Sequence, residues 1–230
     1  MQTVLITGGT GMVGQSLTNL LLAKGYEVIV LTRQKKQSSR TNFSYAQWDI
    51  NKNWIDPAAI ASADFIIHLA GEGVADKRWT AKRKKAILDS RVNSSALLVK
   101  ALKENPNKVK AIVAASAIGW YGPDNEKSIA TGFVETDPVD LSFLGDTCKQ
   151  WEESMHPVKA LGIRLVTIRI GIVFNKMGGA LAEFMKPAKL GAAAILGDGK
   201  QIVSWIHQQD LNRLMLFALE QEQMNGVYNA

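Results

Sequence analysis

Residues 3–14 read TVLITGGTGMVG, and this stretch decides how the chain begins to fold. Its first part, Thr3–Thr7, is a short apolar run rich in β-branched side chains, which predicts a buried strand. The residues after the glycines place apolar side chains at helical spacing, and Gly25 is a good helix terminator. A second apolar run, Glu27–Thr32, predicts another buried strand. The glycines therefore lie between a strand and a helix inside a predicted βαβ unit.

The alternation of strands and helices continues along the whole chain. Further strands are predicted at residues 44–48, 64–71, 109–116 and 164–174, and further helices at residues 56–63, 79–105, 143–162 and 209–223. Asp56, Thr80 and Asp210 are the expected capping residues, and Pro157 is the expected break in the third of these helices. Such alternation predicts an α/β fold, a Rossmann-type doubly wound parallel sheet with helices on both faces.

We expect one domain over residues 1–230, because no linker or repeat interrupts the pattern. Two segments look irregular. Residues 122–140 are loop-rich and acidic, and residues 175–204 are expected to form a small substrate lobe.

The composition describes a globular chain with a substantial core, because 47% of its 230 residues are hydrophobic and 21% are charged. No apolar run is long enough to span a membrane, and strand-like residues begin at Gln2, so we expect a cytoplasmic protein. The single cysteine, Cys148, argues against disulfides and against a multi-cysteine metal site. The net charge is +6. We interpret the basic run Lys82–Lys85 as a solvated helix face, not a nucleic-acid surface, since Trp79 is the aromatic residue that accompanies it.

The glycine pattern itself points to a phosphate-bearing ligand. Gly9, Gly11 and Gly14 have GxGxxG spacing directly after a strand and directly before a helix, the context that a dinucleotide fingerprint requires. The early glycines permit a tight turn, Gly11 lets a pyrophosphate approach the main chain, and Gly14 lets helix and strand pack closely. The free N–H groups at the helix start then attract the phosphates.

The end of the second strand indicates which dinucleotide binds. The fingerprint expects an acidic residue there to hold the ribose 2′-hydroxyl, but residues 31–40 contain no acid and Arg33 takes the place. A guanidinium suits a 2′-phosphate, and Lys35, Lys36 and Arg40 add attraction. We therefore predict NADP(H) as the cofactor, with a solvated basic loop as the alternative.

Five segments together resemble the short-chain dehydrogenase/reductase (SDR) superfamily, in its extended, epimerase-like branch: TGGTGMVG, HLAG (68–71), SAIGWYG, RIGIV and GDGKQIVSWIHQQDL. The resemblance is narrowest to an atypical group of NAD-dependent epimerase/dehydratase-like proteins. It covers essentially the whole chain. Members of this group usually continue into a C-terminal helical segment beyond the VYNA-type strand, so the resemblance implies that this segment is absent here. SDR proteins often dimerise through helix pairs, which makes a homodimer a further expectation.

The resemblance also implies which residues contact the cofactor. The glycine loop contributes backbone contacts, and the end of the second strand meets the 2′-phosphate. The HLAG loop lies beside adenine and ribose. An arginine on the long helix reaches the cofactor, and the RIGIV strand ends near the nicotinamide. The corresponding residues are Gly8, Gly9, Thr10, Gly11, Met12, Val13, Gly14, Thr32, Arg33, Leu69, Ala70, Arg91 and Val173.

The usual catalytic signature is missing, because most SDR enzymes use a tyrosine and a lysine as YxxxK and no tyrosine here is followed by lysine at that spacing. If Glu152 marks the usual register, Leu144 and Cys148 occupy the two positions; a register shifted by one places Gly145 and Lys149 there, still without tyrosine. Ser116, at the end of a strand, Tyr121, in the loop after it, and Asn93, which matches the long-helix asparagine of the superfamily, are the remaining catalytic candidates. Packing is the alternative role for Tyr121.

Two functions therefore stay open. The first is NADP(H)-dependent epimerase, reductase or dehydratase chemistry on a small polar substrate, for example one like a nucleotide sugar. The second is a non-catalytic NADP(H) sensor or regulatory protein, which the missing YxxxK motivates.

Overall fold

The computed structural model describes residues 1–75, 77–175 and 201–230, together with the single positions Leu181, Met185, Lys189, Gly191 and Gly199. Most of the predicted substrate lobe, residues 175–204, therefore lies outside the described residues. None of the described helices is long and apolar enough to cross a membrane.

The centre of the molecule is an eight-stranded sheet. Its strands are β1 (Thr3–Thr7), β2 (Glu27–Thr32), β3 (Phe43–Asp49), β4 (Trp54–Ile55), β5 (Phe65–His68), β6 (Ala111–Ala117), β7 (Arg164–Ile170) and β10 (Gly226–Asn229), and a separate parallel pair is formed by β8 (Ile172–Phe174) and β9 (Trp205–His207). The order across the large sheet is β10-β7-β6-β5-β1-β2-β3-β4, and every pair is parallel except β3 with β4. The predicted doubly wound parallel sheet is thus confirmed.

Helices cover both faces of this sheet. They are α1 (Met12–Ala23), α2 (Pro57–Ser62), α3 (Ala81–Glu104), α4 (Glu126–Thr131), α5 (Phe143–Met155) and α6 (Gln208–Glu220), with short 3₁₀ helices at Ile118–Trp120 and His156–Leu161. Val4 and Ile6 of β1 pack on the α1 and α6 side, whereas Leu5 packs on the α2, α3 and α5 side. Burial on both faces of β1 explains why its central residues, Val4, Leu5 and Ile6, are all apolar.

The strand order reverses at β1, which pairs with β2 on one side and β5 on the other. In open α/β sheets a ligand binds at such a switch point, outside the carboxyl ends of the strands. The loops after β1, β2 and β5 meet at this place, and they carry most of the predicted cofactor residues.

Local sequence signals placed several element ends correctly. Asp56 accepts a hydrogen bond from the Ala58 N–H at the start of α2, and Thr80 accepts one from the Arg83 N–H at the start of α3. The break at Pro157 is also confirmed, since α5 ends at Met155 and continues as a 3₁₀ turn.

Two predictions about elements were wrong. Asp210 does not cap α6, because that helix begins at Gln208 and its cap is His207, whose Nδ1 accepts from the Gln209 N–H. The segment predicted as one strand over residues 164–174 divides at Gly171, where the chain leaves β6 and pairs with β9 instead. The segment 122–140 is mostly loop, as predicted, and also contains the short helix α4, which a capping box between Asn125 and Ser128 initiates.

Candidate functional site

The glycine loop lies between β1 and α1, and packing alone requires glycine at three of its positions. A Cβ atom at Gly9 would lie 2.7 Å from the methyl groups of Val30. Gly8 has a φ of 69°, and a Cβ atom there would lie 2.7 Å from the Leu69 carbonyl oxygen. A Cβ atom at Gly14 would lie 2.5 Å from the Gly9 Cα atom. These contacts hold the start of α1 directly against the end of β1, as predicted.

Gly11 differs, because the protein itself constrains a side chain there much less. Its φ is −77°, which any residue adopts, and a Cβ atom would meet only the Gly8 carbonyl oxygen, at 3.3 Å. Gly11 is also the N-cap of α1, with no side-chain cap and no acidic residue in the first turn. The N–H groups of this turn are therefore open to an anion that approaches over bare backbone. The loop fits a dinucleotide pyrophosphate.

A groove of about 750 Å³ runs from this loop across the ends of β2, β3 and β5. Seven predicted cofactor residues line it: Gly8, Thr10, Gly11, Thr32, Arg33, Leu69 and Ala70. Its volume falls in the usual range for a small-molecule or cofactor site, roughly 300–1,000 Å³.

The end of β2 gives one end of the groove a positive charge. Thr32 donates from Oγ1 to the Gln34 carbonyl oxygen at 2.6 Å, which turns the chain after the strand. Arg33 and Lys36 follow in this turn, and both line the groove with exposed side chains. The neighbouring Lys35 is exposed but does not line the groove. No carboxylate occurs between residues 31 and 40 to oppose these charges.

The loop after β5 forms the opposite wall. The backbone N–H groups of Leu69 and Ala70 both donate to Thr7 Oγ1, at 3.1 Å. Further along, Glu72 forms an ion pair with Arg83 of α3. The Glu72 N–H donates to Ser90 Oγ at 3.0 Å, so this loop is fastened to α3.

Sequence reasoning missed several groove residues. Trp48 and Ile50 form an apolar wall where β3 ends, and Glu72, Lys77 and Ser90 line the side nearest α3. A signal for the first two was present, because β3 follows β2 in a parallel sheet and its carboxyl end must lie beside Thr32. The residues near α3 depend on how the loop after β5 folds back, which has no signal in the sequence.

Six predicted cofactor residues do not line the groove. Gly9 and Gly14 are packed inside the loop, and Met12 and Val13 lie in the first turn of α1. The other two are Arg91 and Val173. Their assignment to the cofactor stays a prediction.

Arg91 and Val173 each have contacts within the protein. The Arg91 guanidinium stacks on the Trp151 ring at 4.9 Å and donates to the Ile87 carbonyl oxygen. Burial lowers the pKa of Arg91. Val173 belongs to β8 and packs on the core beneath α1 and α6.

Two predicted catalytic residues, Ser116 and Tyr121, belong to one buried polar network. Ser116 Oγ donates to Glu152 Oε1 at 2.6 Å, and Arg169 binds both carboxylate oxygens of Glu152 at 2.9 and 3.0 Å. Arg169 Nη1 also donates to the Tyr121 hydroxyl at 3.0 Å, and that hydroxyl donates to Asn229 Oδ1 at 2.6 Å. Both hydroxyls are therefore engaged in protein contacts.

The third catalytic candidate, Asn93, lies apart from this network. It is on an exposed position of α3, and no hydrogen bond of the described residues joins it to Ser116 or Tyr121. The structure therefore brings together two of the three candidates. The catalytic role of all three stays a prediction.

The helix α5 places Leu144 and Cys148 beside Gly119, just after β6. These are the positions where the resemblance expects tyrosine and lysine if Glu152 marks the register, and this register stays a prediction. The Cys148 thiol is buried, and burial raises its pKa to about 11. Neither side chain supplies a proton donor with a pKa near neutrality.

A smaller cavity of about 400 Å³ opens beside the network. Its lining includes Tyr121, Phe133, Lys127 and Asp137, and the last two form an ion pair at 2.8 Å. The Tyr121 ring stacks on the Phe133 ring at 4.9 Å. The packing role considered for Tyr121 is therefore present in the structure.

The doubly wound sheet and the groove at its switch point define a nucleotide-cofactor protein of the SDR type. A family model for the NAD dependent epimerase/dehydratase family matches residues 4–230. The chain belongs to this family, as the sequence motifs predicted.

Individual relatives agree with this assignment. An epimerase family protein of Staphylococcus saprophyticus is 36% identical over 229 residues, which cover 100% of this chain and 74% of that protein. The epimerase family protein YfhF of Bacillus subtilis is 33% identical over 98% of this chain and 73% of its own length.

Solved structures give the same result. The human epimerase family protein SDR39U1 (isoform 2), crystallised with NADPH, superposes with a TM-score of 0.83 at 30% identity, over 100% of this chain and 74% of that one. A nucleoside-diphosphate sugar epimerase of Corynebacterium glutamicum superposes with a TM-score of 0.82 at 30% identity, over 99% of this chain and 46% of that one.

Proposed function

We propose that the chain binds NADP(H) in the groove at the glycine loop. The observation that carries the proposal is the pair Arg33 and Lys36, which line the groove at the end of β2 where an NAD-specific site would place a carboxylate. A guanidinium and an ammonium there bind a 2′-phosphate by charge-assisted hydrogen bonds. The human relative, which was crystallised with NADPH, supports the same preference.

The remaining groove residues suit the other parts of this cofactor. The open N–H groups at the start of α1 hold the pyrophosphate, next to Gly11. Trp48 and Ile50 form an apolar wall near Arg33 that a planar base covers. The Leu69–Ala70 backbone borders the groove toward α3. When bound, the nicotinamide ring supplies hydride transfer.

We further propose that the chain uses this cofactor for epimerase-, reductase- or dehydratase-type chemistry on a small polar substrate, such as a nucleotide sugar. The similarity to a nucleoside-diphosphate sugar epimerase supports this class. Tyr121, Ser116 or water would move the proton, with Asn93 on α3 as the third candidate. For Tyr121 to act, its hydroxyl must exchange the bond to Asn229 for one to the substrate.

A non-catalytic NADP(H) sensor is the second candidate, and one observation favours it. Leu144 and Cys148, which lie beside Gly119, take the tyrosine and lysine positions in the register that Glu152 marks, and the Ser116 and Tyr121 hydroxyls are held in the Arg169 network. A site of this kind binds the cofactor without a free acid or base next to the reacting carbon. The redox state of the cofactor would then change a surface or the affinity for a partner.

Calorimetric titration tests the cofactor assignment. We expect NADPH to bind at least about tenfold more tightly than NADH, because one charge-assisted hydrogen bond contributes about 1.5–3 kcal/mol. Arg33→Ala should weaken NADPH binding by about ten- to a hundredfold and leave NADH nearly unchanged. Lys35→Ala is the matched control, since it removes the same charge from the same turn but does not line the groove. NADH binding equal to or tighter than NADPH binding would overturn the assignment.

Turnover separates the two functions. An enzyme should convert at least one member of a panel of nucleotide sugars and small carbonyl compounds. A reductase would consume NADPH or NADP+ net, whereas an epimerase or dehydratase would form product with no net change in the cofactor, because the hydride returns to the substrate. A sensor should bind both cofactor forms without turnover and show different protease sensitivity with NADPH and with NADP+. Turnover with unchanged protease sensitivity would exclude the sensor.

A further inference from the structure

His68 ends β5, and its ring is fully buried between two hydroxyl groups. The Nδ1 atom lies 2.8 Å from Thr7 Oγ1, and the Nε2 atom lies 3.0 Å from Ser95 Oγ on α3. Burial lowers the pKa of His68 to about 4, so the ring is neutral near pH 7. A neutral imidazole has a single N–H, so one ring nitrogen donates and the other accepts.

The hydrogen bonds at Thr7 decide which nitrogen accepts. Thr7 Oγ1 accepts from the backbone N–H groups of Leu69 and Ala70, each at 3.1 Å, and the Leu69 N–H is shared with the Thr7 carbonyl oxygen. A hydroxyl has two lone pairs and one proton, and both lone pairs are in use. The hydroxyl proton must therefore go to His68 Nδ1, which leaves the ring proton on Nε2 as a donor to Ser95.

The opposite tautomer would be costly. An N–H at Nδ1 would point at an oxygen whose lone pairs already accept two amides, and the buried hydroxyl proton of Thr7 would lose its acceptor. An unsatisfied buried donor costs about 1–3 kcal/mol. With the ring proton on Nε2, the hydroxyl proton and both lone pairs of Thr7 have partners.

The cluster supports the wall of the groove. Leu69 and Ala70 line the groove, and their peptide lies against Gly8, where a Cβ atom would be 2.7 Å from the Leu69 carbonyl oxygen. Whatever fixes the Thr7 hydroxyl therefore fixes this peptide relative to the glycine loop.

We propose that His68, as the Nε2–H tautomer, is a positioning residue for the groove. It orients the Thr7 hydroxyl, which in turn holds the Leu69 and Ala70 amides against the glycine loop. The effect on cofactor affinity rests on the proposed NADP(H) site, whereas the tautomer and the amide geometry do not.

Long-range 1H–15N NMR of the cofactor-free protein tests the tautomer directly. We expect an unprotonated Nδ1 and a protonated Nε2 for His68. The ring signals of His68 are assigned as those that disappear from the spectrum of a His68→Asn variant. A protonated Nδ1 would overturn the inference. Hydrogen exchange adds a second readout, because the Ala70 amide should be protected in the wild type.

Two substitutions separate positioning from simple packing. The side-chain amide introduced by His68→Asn can place its oxygen near the position of the Nδ1 atom and still accept from Thr7, whereas His68→Leu fills the space without an acceptor. We expect His68→Leu to weaken NADPH binding by about fivefold and to expose the Ala70 amide to exchange. His68→Asn should keep the NADPH affinity and the protection of the Ala70 amide within about twofold of the wild type. Equal behaviour of the two variants would contradict the positioning role.

Ser95→Ala keeps the experiment decisive if His68→Leu does not fold. It removes the partner of Nε2 but not the acceptor for Thr7, so NADPH affinity and Ala70 protection should persist. Loss of Ala70 protection in Ser95→Ala would refute the inference. If wild-type protein shows the expected tautomer but binds no NADPH, the cofactor proposal fails while the hydrogen-bond assignment holds.

Discussion

The buried imidazole of His68 should make the stability of the protein depend on pH in a specific way. The folded chain holds this ring neutral with a pKa of about 4, because it is fully removed from solvent. In the unfolded chain the pKa returns to its ordinary value of 6.5. Between these values the unfolded state binds more protons than the folded state, so stability falls as the pH falls.

The size of the effect follows from the two pKa values. Each pH unit across the interval changes the free energy of unfolding by up to about 1.4 kcal/mol. Integrated from pH 7, the loss due to His68 reaches about 2 kcal/mol at pH 5 and about 3 kcal/mol at pH 4. Carboxylates also titrate in this range, so the wild-type profile alone does not isolate the imidazole.

Urea denaturation of the wild type and of His68→Asn at pH 7, 6 and 5 isolates the contribution of the His68 imidazole to the free energy of unfolding. The variant keeps every other titrating group, so the difference between the two unfolding free energies should change by about 2 kcal/mol over this range. His156→Gln, which removes an exposed imidazole, controls for the loss of a histidine as such. Profiles that stay parallel to within about 0.5 kcal/mol would refute the reasoning, because they would mean that His68 ionises without cost in the fold.

Three further predictions have defined outcomes. Gly14→Ala should prevent folding, or lower the free energy of unfolding by more than about 3 kcal/mol, because its Cβ atom would overlap the Gly9 Cα atom. Gly11→Ala should fold normally and lose NADPH binding. Circular dichroism compares the folding of the two variants, and calorimetry compares their NADPH binding. Glu152→Gln should cost about 3–5 kcal/mol in urea denaturation, because it leaves the buried Arg169 charge without its partner. Cys148, whose pKa burial raises to about 11, should react with a thiol reagent only after unfolding in guanidinium chloride.

For each of these three predictions, one result would contradict the structural reason given. Normal folding of Gly14→Ala would show that the loop tolerates displacement. A Glu152→Gln variant as stable as the wild type would mean that Arg169 reaches another anion or water. Fast labelling of Cys148 in the native protein would show that the space between α5 and β6 opens.

The sequence predicted the sheet and the geometry of the glycine loop well because both depend on short-range patterns. The apolar run Thr3–Thr7 needs burial on both faces, and Gly8 and Gly14 need contacts that the strand–loop–helix unit brings to them. Arg33 was predicted for the same reason, since its place is fixed by counting from the glycines to the end of β2.

The rest depends on contacts between distant segments. Trp48 and Ser90 reach the groove through sheet order and loop folding. The Arg169 network joins β6, α5, β7 and β10, so neither the spacing of Ser116 nor that of Tyr121 shows that their hydroxyls have protein partners. The prediction that Asp210 caps α6 was wrong because the helix starts two residues before Asp210.

The central claim is that bare backbone at the start of α1 holds a pyrophosphate while Arg33 selects the 2′-phosphate. A crystal structure of the protein grown with NADPH tests it most directly. We predict the pyrophosphate over Gly11 and the 2′-phosphate within hydrogen-bonding distance of the Arg33 guanidinium. NADPH bound with its 2′-phosphate away from both Arg33 and Lys36, or a groove that stays empty at saturating NADPH, would contradict the account.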